Sequence, residues 1–224
     1  MKISDLIIIF KRKIVSSSFF WKVRHFFQPS WVDAYNNKLT PKFYFNFIVE
    51  NNISSILDFG CATGNLLYDL NKENVDLISY GIDINIKALD ACNKKFKLAN
   101  NTDSTFFFDH EVNHDNLNAF LQKNNLKKFD LIIFDRVLYC LNEGAILSLL
   151  DSFAGLTDTI LINDFEISRK FETHGYNHRD WISILDKLNF KNTINLPTIN
   201  TKVNKANART LIFQKHDGKR TDIS

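Results

Sequence analysis

Two carboxylates and a run of small residues carry the strongest chemical signal in this sequence. Asp58 precedes Gly60, Ala62 and Gly64 within Ile56-Leu57-Asp58-Phe59-Gly60-Cys61-Ala62-Thr63-Gly64-Asn65-Leu66-Leu67, an apolar run that enters a small-residue turn and then a helical pattern. Glycines there let the backbone turn sharply and approach a ligand where a Cβ would collide. The N–H groups of the following helix start can meet polar ligand atoms. Asp58 sits at the carboxyl end of its strand, where open α/β sheets bind ligands. About 20 residues beyond Gly64, Tyr80-Gly81-Ile82-Asp83-Ile84-Asn85 closes a second strand on another carboxylate, spaced to accept hydrogen bonds from both hydroxyls of a ribose. The chemistry implied is recognition of a nucleoside-bearing cofactor. A nicotinamide dinucleotide fits worse, because its G-x-G-x-x-G fingerprint would require glycines where Ala62 and Asn65 stand.

Such a site needs strands that end together. Period-two and apolar runs predict strands over 53–59, 77–82, 105–109, 129–134, 159–163, 190–196 and 209–214. Helical spacing predicts helices over 65–74, 86–98, 116–124, 145–153 and 178–188. Repeated strand–helix units imply a parallel sheet with helices on both faces. The last two strands have no helix between them, so one is expected to run antiparallel. Residues 1–50 form an expected N-terminal helical cap, rich in aromatics and punctuated by Pro29 and Pro41. Residues 51–215 form the expected catalytic domain and 216–224 a polar tail.

Asp58-x-Gly60-x-Ala62-x-Gly64 resembles the first motif of class I S-adenosylmethionine-dependent methyltransferases, with Ala62 where a glycine is common. The resemblance covers about residues 54–214 and implies an α/β, seven-stranded, mostly parallel Rossmann-like sheet with the last strand antiparallel. It implies S-adenosyl-L-methionine as cofactor. Asp58, Phe59, Gly60, Cys61, Ala62 and Gly64 would hold its methionine portion, and Asp83 with Ile84 its ribose. Asp109, followed by His110, matches a third-strand acid that faces the adenine amino group; capping the next helix is the other reading of Asp109. The segment 129–139 resembles the fourth motif. There Asp130 begins the strand in a structural role, Asp135 ends it beside the transferred methyl, and Arg136 and Tyr139 line the acceptor side. Trp31-x-x-x-Tyr35 and Pro41-Lys42 also resemble the leader of some bacterial methyltransferases encoded with polysaccharide genes.

Methyl transfer from a sulfonium is an in-line displacement, for which alignment and exclusion of water are the main tools. Only a protonated acceptor such as a hydroxyl needs a general base. His174, His178 and Tyr139 are the catalytic candidates, with Asp164, Glu166, Tyr176 and Arg179 as further polar residues after strands four and five and His25 on the leader. Each histidine also reads as an ordinary loop or helix-start residue. Asp135 with Asn163-Asp164 is similar to the metal ligands of catechol-type O-methyltransferases, but that family has Asp-Asn where this chain has Asn-Asp, so no metal is expected. No Asp/Asn-Pro-Pro-aromatic motif, Pro-Cys pair or two-glutamate loop is present, which disfavours base-amine, cytosine-C5 and arginine acceptors.

The bulk numbers narrow the acceptor further. The 224 residues carry a net charge of +3, well short of the basic excess that a polyanion-binding domain usually shows. The expected acceptor is a small molecule or saccharide, methylated at oxygen. The alternatives are an RNA methyltransferase, using Lys202, Lys205, Arg209, Lys215, Lys219 and Arg220, and a non-catalytic scaffold with the same fold. Cys61, Cys92 and Cys140 form no CxxC pair and fit reduced thiols in a cytoplasmic protein. The apolar run 6–10 is too short for a signal peptide or a membrane span. The aromatic leader, residues 1–50, is expected to form a helical lid over the cofactor, or to touch a membrane surface through an amphipathic helix within residues 3–27. Oligomeric state is left open.

Overall fold

The computed structural model describes residues 3–15, 20, 41–73, 76–98, 105–108, 114–123, 125, 128–165, 179–198 and 208–216. In chain order these hold α1 (Ile3–Val15), α2 (Pro41–Glu50), β1 (Ser55–Phe59), α3 (Asn65–Glu73), β2 (Ile78–Asp83), α4 (Ile86–Leu98) and β3 (Thr105–Phe108). There follow α5 (His114–Lys123), β4 (Leu131–Asp135), α6 (Glu143–Ala154), β5 (Thr159–Phe165), α7 (Trp181–Asp186), β6 (Phe190–Thr198) and β7 (Ala208–Lys215). The strands form one seven-stranded sheet in the order β3-β2-β1-β4-β5-β7-β6. β1 to β5 are parallel, and β7 runs antiparallel to both β5 and β6. Pro197 lies in β6, an edge strand, where its missing N–H leaves no gap in a ladder on the outer side.

Alternation along the strands explains how both faces are covered. Ile132 and Phe134 pack on one side with Leu57, Ile160, Ile162 and Phe213, against Ile146, Leu149, Leu150 and Phe153 of α6 and Trp181 and Leu185 of α7. Leu131 and Ile133 pack on the other with Ile56, Leu161 and Ile212, against Leu66, Leu67 and Leu70 of α3 and Leu89, Cys92 and Phe96 of α4. Every residue of β4 is buried, as a central strand with helices on both faces requires. Tyr44, Phe47 and Ile48 of α2 join the second layer, so this part of the leader packs against the sheet itself.

The strand order reverses at β1, which has β2 on one side and β4 on the other. Ligands of open α/β sheets bind outside the carboxyl ends at such a reversal, which marks the gap above Phe59 and Asp135.

Element boundaries differ from expectation where local chemistry intervenes. α7 begins at Trp181 because the Asp180 carboxylate caps it, accepting the Ser183 N–H at 3.1 Å. Phe129 makes only a single bridge to Thr157 before β4 proper. A helical turn at Leu138–Cys140, not foreseen, follows β4. α6 starts on Asn142, whose side chain accepts the Ala145 N–H at 2.8 Å.

Candidate active site

The turn after β1 is a closed knot of hydrogen bonds. Gly60, Ala62 and Gly64 have φ of 81°, 51° and 66°, the left-handed region that glycine enters freely and alanine only at a cost of about 1–2 kcal/mol. The Gly60 and Cys61 N–H groups donate to the Ile82 carbonyl at 2.7 and 3.0 Å, and the Gly64 N–H to Cys61 at 2.9 Å. Ala62 N–H donates to Asp83 Oδ2 at 2.9 Å, while Asp83 Oδ1 accepts the Asn85 N–H at 2.8 Å. The acid ending β2 is therefore built into the β1 turn. This clasp was not foreseen, although both partners were singled out.

Two details add to the roles read from the sequence. The amides of Gly60, Cys61, Ala62 and Gly64 donate within the protein, so the turn offers a ligand shape, carbonyls and carboxylates more than N–H donors. A Cβ at Gly60 would come within 2.7 Å of Val137 Cγ2 and 2.9 Å of Val137 Cβ. The close approach that demands glycine there is to the segment after β4.

Helix α4 braces the turn from outside. Cys92 Sγ donates to the Ala62 carbonyl at 3.2 Å, and Lys95 Nζ donates to the Thr63 carbonyl at 3.2 Å and to Asn65 Oδ1. Lys95 also lies 5.5 Å from the Tyr68 ring centroid. Neither residue stood out in the sequence, because bracing needs only reach. Burial pushes the Cys61 thiol well up, helped by a hydrogen bond with Cys92 and by the negative charges of Asp83, then Asp58. Cys61 thus stays a neutral thiol, in the field of both motif carboxylates. Asp58 and Asp83 are buried. The Phe59 ring turns to the core, with centroids 5.7 and 5.8 Å from Phe134 and Phe153. Ile84 is half-buried.

A second cluster closes the other side. Asp135 is buried, its Oδ1 accepting Asn163 Nδ2 at 2.9 Å and its Oδ2 the Tyr44 hydroxyl at 3.3 Å. Arg136 has a φ of 57° and donates its N–H to the Asn163 carbonyl at 2.8 Å. Tyr44 was missed, since an aromatic leader residue gives no hint of a carboxylate partner 91 positions away. Tyr139 is buried in the turn after β4. Arg179 holds that turn, donating to the Leu138 and Leu141 carbonyls at 3.2 and 2.7 Å. It is a brace there, placed 5.6 Å from the Trp181 ring centroid.

Asp109, His110, Glu166, His174, Tyr176, His178 and His25 lie outside the described residues. Asp164 is buried beside Asn163. Among the described residues no group of three or more His, Cys, Asp or Glu is placed to hold a metal ion. Of the basic residues considered for RNA, Arg209 donates to Asn195 Oδ1 at 2.6 Å and Lys215 to the Ala154 carbonyl at 3.1 Å.

The cradle therefore has buried carboxylates at the ends of β1 and β2, a turn of small side chains between them, and a third carboxylate across the gap at the end of β4. Acceptors of this kind suit a ligand that carries hydroxyls at one end and an ammonium at the other.

Residues 51–208 match the model of a family described as a methyltransferase domain. No curated protein matches the chain. Among solved structures, the magnesium protoporphyrin IX methyltransferase of Synechocystis PCC 6803 with bound SAM is 19% identical, with a TM-score of 0.58 over 79% of this chain and 78% of that one. The N-methyltransferase NodS of Bradyrhizobium japonicum WM9 is 16% identical, with a TM-score of 0.55 over 78% and 95%. The mitomycin 7-O-methyltransferase MmcR is 12% identical, with a TM-score of 0.56 over 74% and 50%.

Proposed function

The chain belongs to the class I S-adenosylmethionine-dependent methyltransferase family, and from that premise we propose that it methylates a hydroxyl of a small-molecule or saccharide acceptor. Its cofactor is S-adenosyl-L-methionine. The observation that carries the reading of the site is the Asp83–Ala62 clasp, which joins the β1 turn and the β2 acid into one preformed cradle.

Asp58 and the turn carbonyls would accept the cofactor's ammonium. Asp83 would accept its ribose hydroxyls, its carboxylate being held in place by the Ala62 and Asn85 N–H groups. When bound, the cofactor would supply an electrophilic methyl on a sulfonium, with the neutral thioether of S-adenosylhomocysteine as the leaving group. The chain's own work is to align the acceptor, exclude water and receive its proton. Asp135, whose oxygens accept from Tyr44 and Asn163, would receive the proton, with His174 and His178, outside the described residues, as the other candidate bases. Tyr139 and Arg136 would wall that side. Support for a small acceptor comes from the weak net charge of +3 and from neighbours that include a small-molecule O-methyltransferase. Against RNA, Arg209 and Lys215 are engaged within the protein.

Calorimetric titration with S-adenosylhomocysteine, with NADH as control, tests the reading. Saturable binding of the first alone is expected, weakened by about 1–3 kcal/mol in Asp83→Ala through lost charge-assisted bonds. Binding of neither ligand would turn the chain into a scaffold with an enzyme's fold. Unchanged affinity in Asp83→Ala would remove Asp83 from the ribose.

A further inference from the structure

Helix α1 leaves an apolar face uncovered. Leu6, Ile7, Ile9, Phe10 and Ile14 are all exposed, Phe10 by 65% and Leu6 by 50%. At 100° per residue Leu6, Ile7, Phe10 and Ile14 fall on one stripe, with Lys11 and Lys13 on its two flanks. Both lysines are exposed. Single exposed hydrophobics are ordinary, but a continuous stripe of them on a soluble surface marks a contact. Dipole compensation accounts for basic residues near a helix C-terminus and leaves the stripe unexplained.

We propose that α1 docks the protein on the surface of an anionic lipid bilayer, lying in the interface with the Leu6–Phe10–Ile14 stripe among the acyl chains and its lysines at the headgroups. Length supports lying over crossing. Thirteen residues reach about 20 Å, against a hydrocarbon core of about 30 Å, and among the described residues no helix is long and apolar enough to span a membrane. Charge supports an anionic surface. The helix carries Lys11, Arg12 and Lys13 against the single acid Asp5, and basic residues flanking an apolar stripe are what an interfacial helix presents to acidic lipid. A second copy of the same helix would instead bring these cations together. The proposal stands apart from the cofactor reading, since no residue named in the cradle lies on α1.

The test is sedimentation of the full chain with vesicles of phosphatidylcholine alone and of equimolar phosphatidylcholine and phosphatidylglycerol. Binding is expected on the anionic vesicles only, falling as salt is raised. Reversal of Lys11 and Lys13 to Glu should weaken it about fivefold for each charge removed. Leu6→Asp with Phe10→Asp, at exposed positions, should reduce it at least tenfold. Size-exclusion chromatography and S-adenosylhomocysteine binding on the same variants should match wild type, showing that fold and cradle are intact. No sedimentation of wild type with anionic vesicles would overturn the proposal. So would equal binding by the Asp variant, or a wild-type dimer that the Asp variant converts to monomer. Vesicle binding without S-adenosylhomocysteine binding would refute the cofactor site and leave the docking surface standing.

Discussion

At the scale of single residues, the site is defined by backbone conformation as much as by side-chain chemistry. Ala62 occupies left-handed space at φ 51°, and its N–H is the one that Asp83 holds. An L-residue there costs about 1–2 kcal/mol, whereas glycine costs about 0.5–1 kcal/mol in the entropy of the unfolded chain. The first term is the larger, so Ala62→Gly should stabilise the protein by about 0.5–1 kcal/mol while leaving the clasp in place. Chemical denaturation of the two proteins measures this; a destabilised glycine variant would mean that the Ala62 methyl packs usefully. Gly60 behaves oppositely. Its added methyl would meet Val137 at 2.7 Å, so alanine there must displace the segment after β4.

Between elements, the bond of β1 to β4 decides whether Asp58 and Asp135 face each other across the gap. The strands pair in parallel from Ile56 opposite Leu131, and Asp130 fixes the register from the far end. Its Oδ2 accepts Ser54 N–H, Ser54 Oγ and Ser55 N–H at 2.8, 2.7 and 2.9 Å, and its own N–H donates to Ser55 Oγ at 3.0 Å. Burial pushes the carboxyl up, but the hydrogen bonds from Ser54 and Ser55 together outweigh it, so its pKa lies below the ordinary value. A depressed carboxylate contributes stability that is present above the unfolded value, about 3.9 for Asp, and is lost as pH falls through the folded one. Asp130→Asn should therefore cost about 1 kcal/mol at neutral pH, modest because the site is solvent-exposed, or about 2–4 °C in Tm for a chain of this size. The gap between the two proteins should narrow as pH falls below the unfolded value and through the lower folded one. Equal melting at neutral pH would show that the serines do without the carboxylate.

The same elements show what the sequence could disclose. Ile86–Leu98 has the boundaries that its periodicity predicts, and the strand–helix alternation predicts the parallel sheet with a reversed final strand, because both signals are local and repeat along the chain. The cradle residues were visible as glycine and carboxylate positions. Their partnerships were not: Tyr44 reaches Asp135, Lys95 reaches Thr63 and Arg179 reaches Leu138 across the fold, through ordinary residue types with no spacing to betray them. Nor could the sequence disclose that the turn amides are taken up within the protein, since it shows where a turn lies but not which carbonyl its N–H groups face.

For the molecule as a whole, the cradle is where separate pieces of the sheet meet. Asp58 belongs to β1, Asp83 to β2, Asp135 to β4, and Tyr44 to the leader helix α2. Four separate elements each contribute one group, so a ligand seated there touches segments that unfolding must pull apart. Binding to the folded state alone raises stability by RT ln(1 + [L]/Kd), about 2.7 kcal/mol at a hundredfold excess of ligand over Kd. For a chain of this length each kcal/mol moves the midpoint by about 2–4 °C, so S-adenosylhomocysteine at that excess should raise Tm by about 5–10 °C and NADH should not. Asp83→Ala should lose about a third to nine-tenths of that rise at the same ligand concentration, because a loss of about 1–3 kcal/mol in affinity lowers [L]/Kd by about five- to 150-fold. Leu6→Asp with Phe10→Asp should keep all of it, because none of the cradle residues lies on α1. A thermal shift that survived Asp83→Ala but vanished with α1 altered would place the ligand under the leader and away from the carboxyl ends of β1 and β4, since only a site built on those strands couples the β2 acid to the melting of the whole sheet.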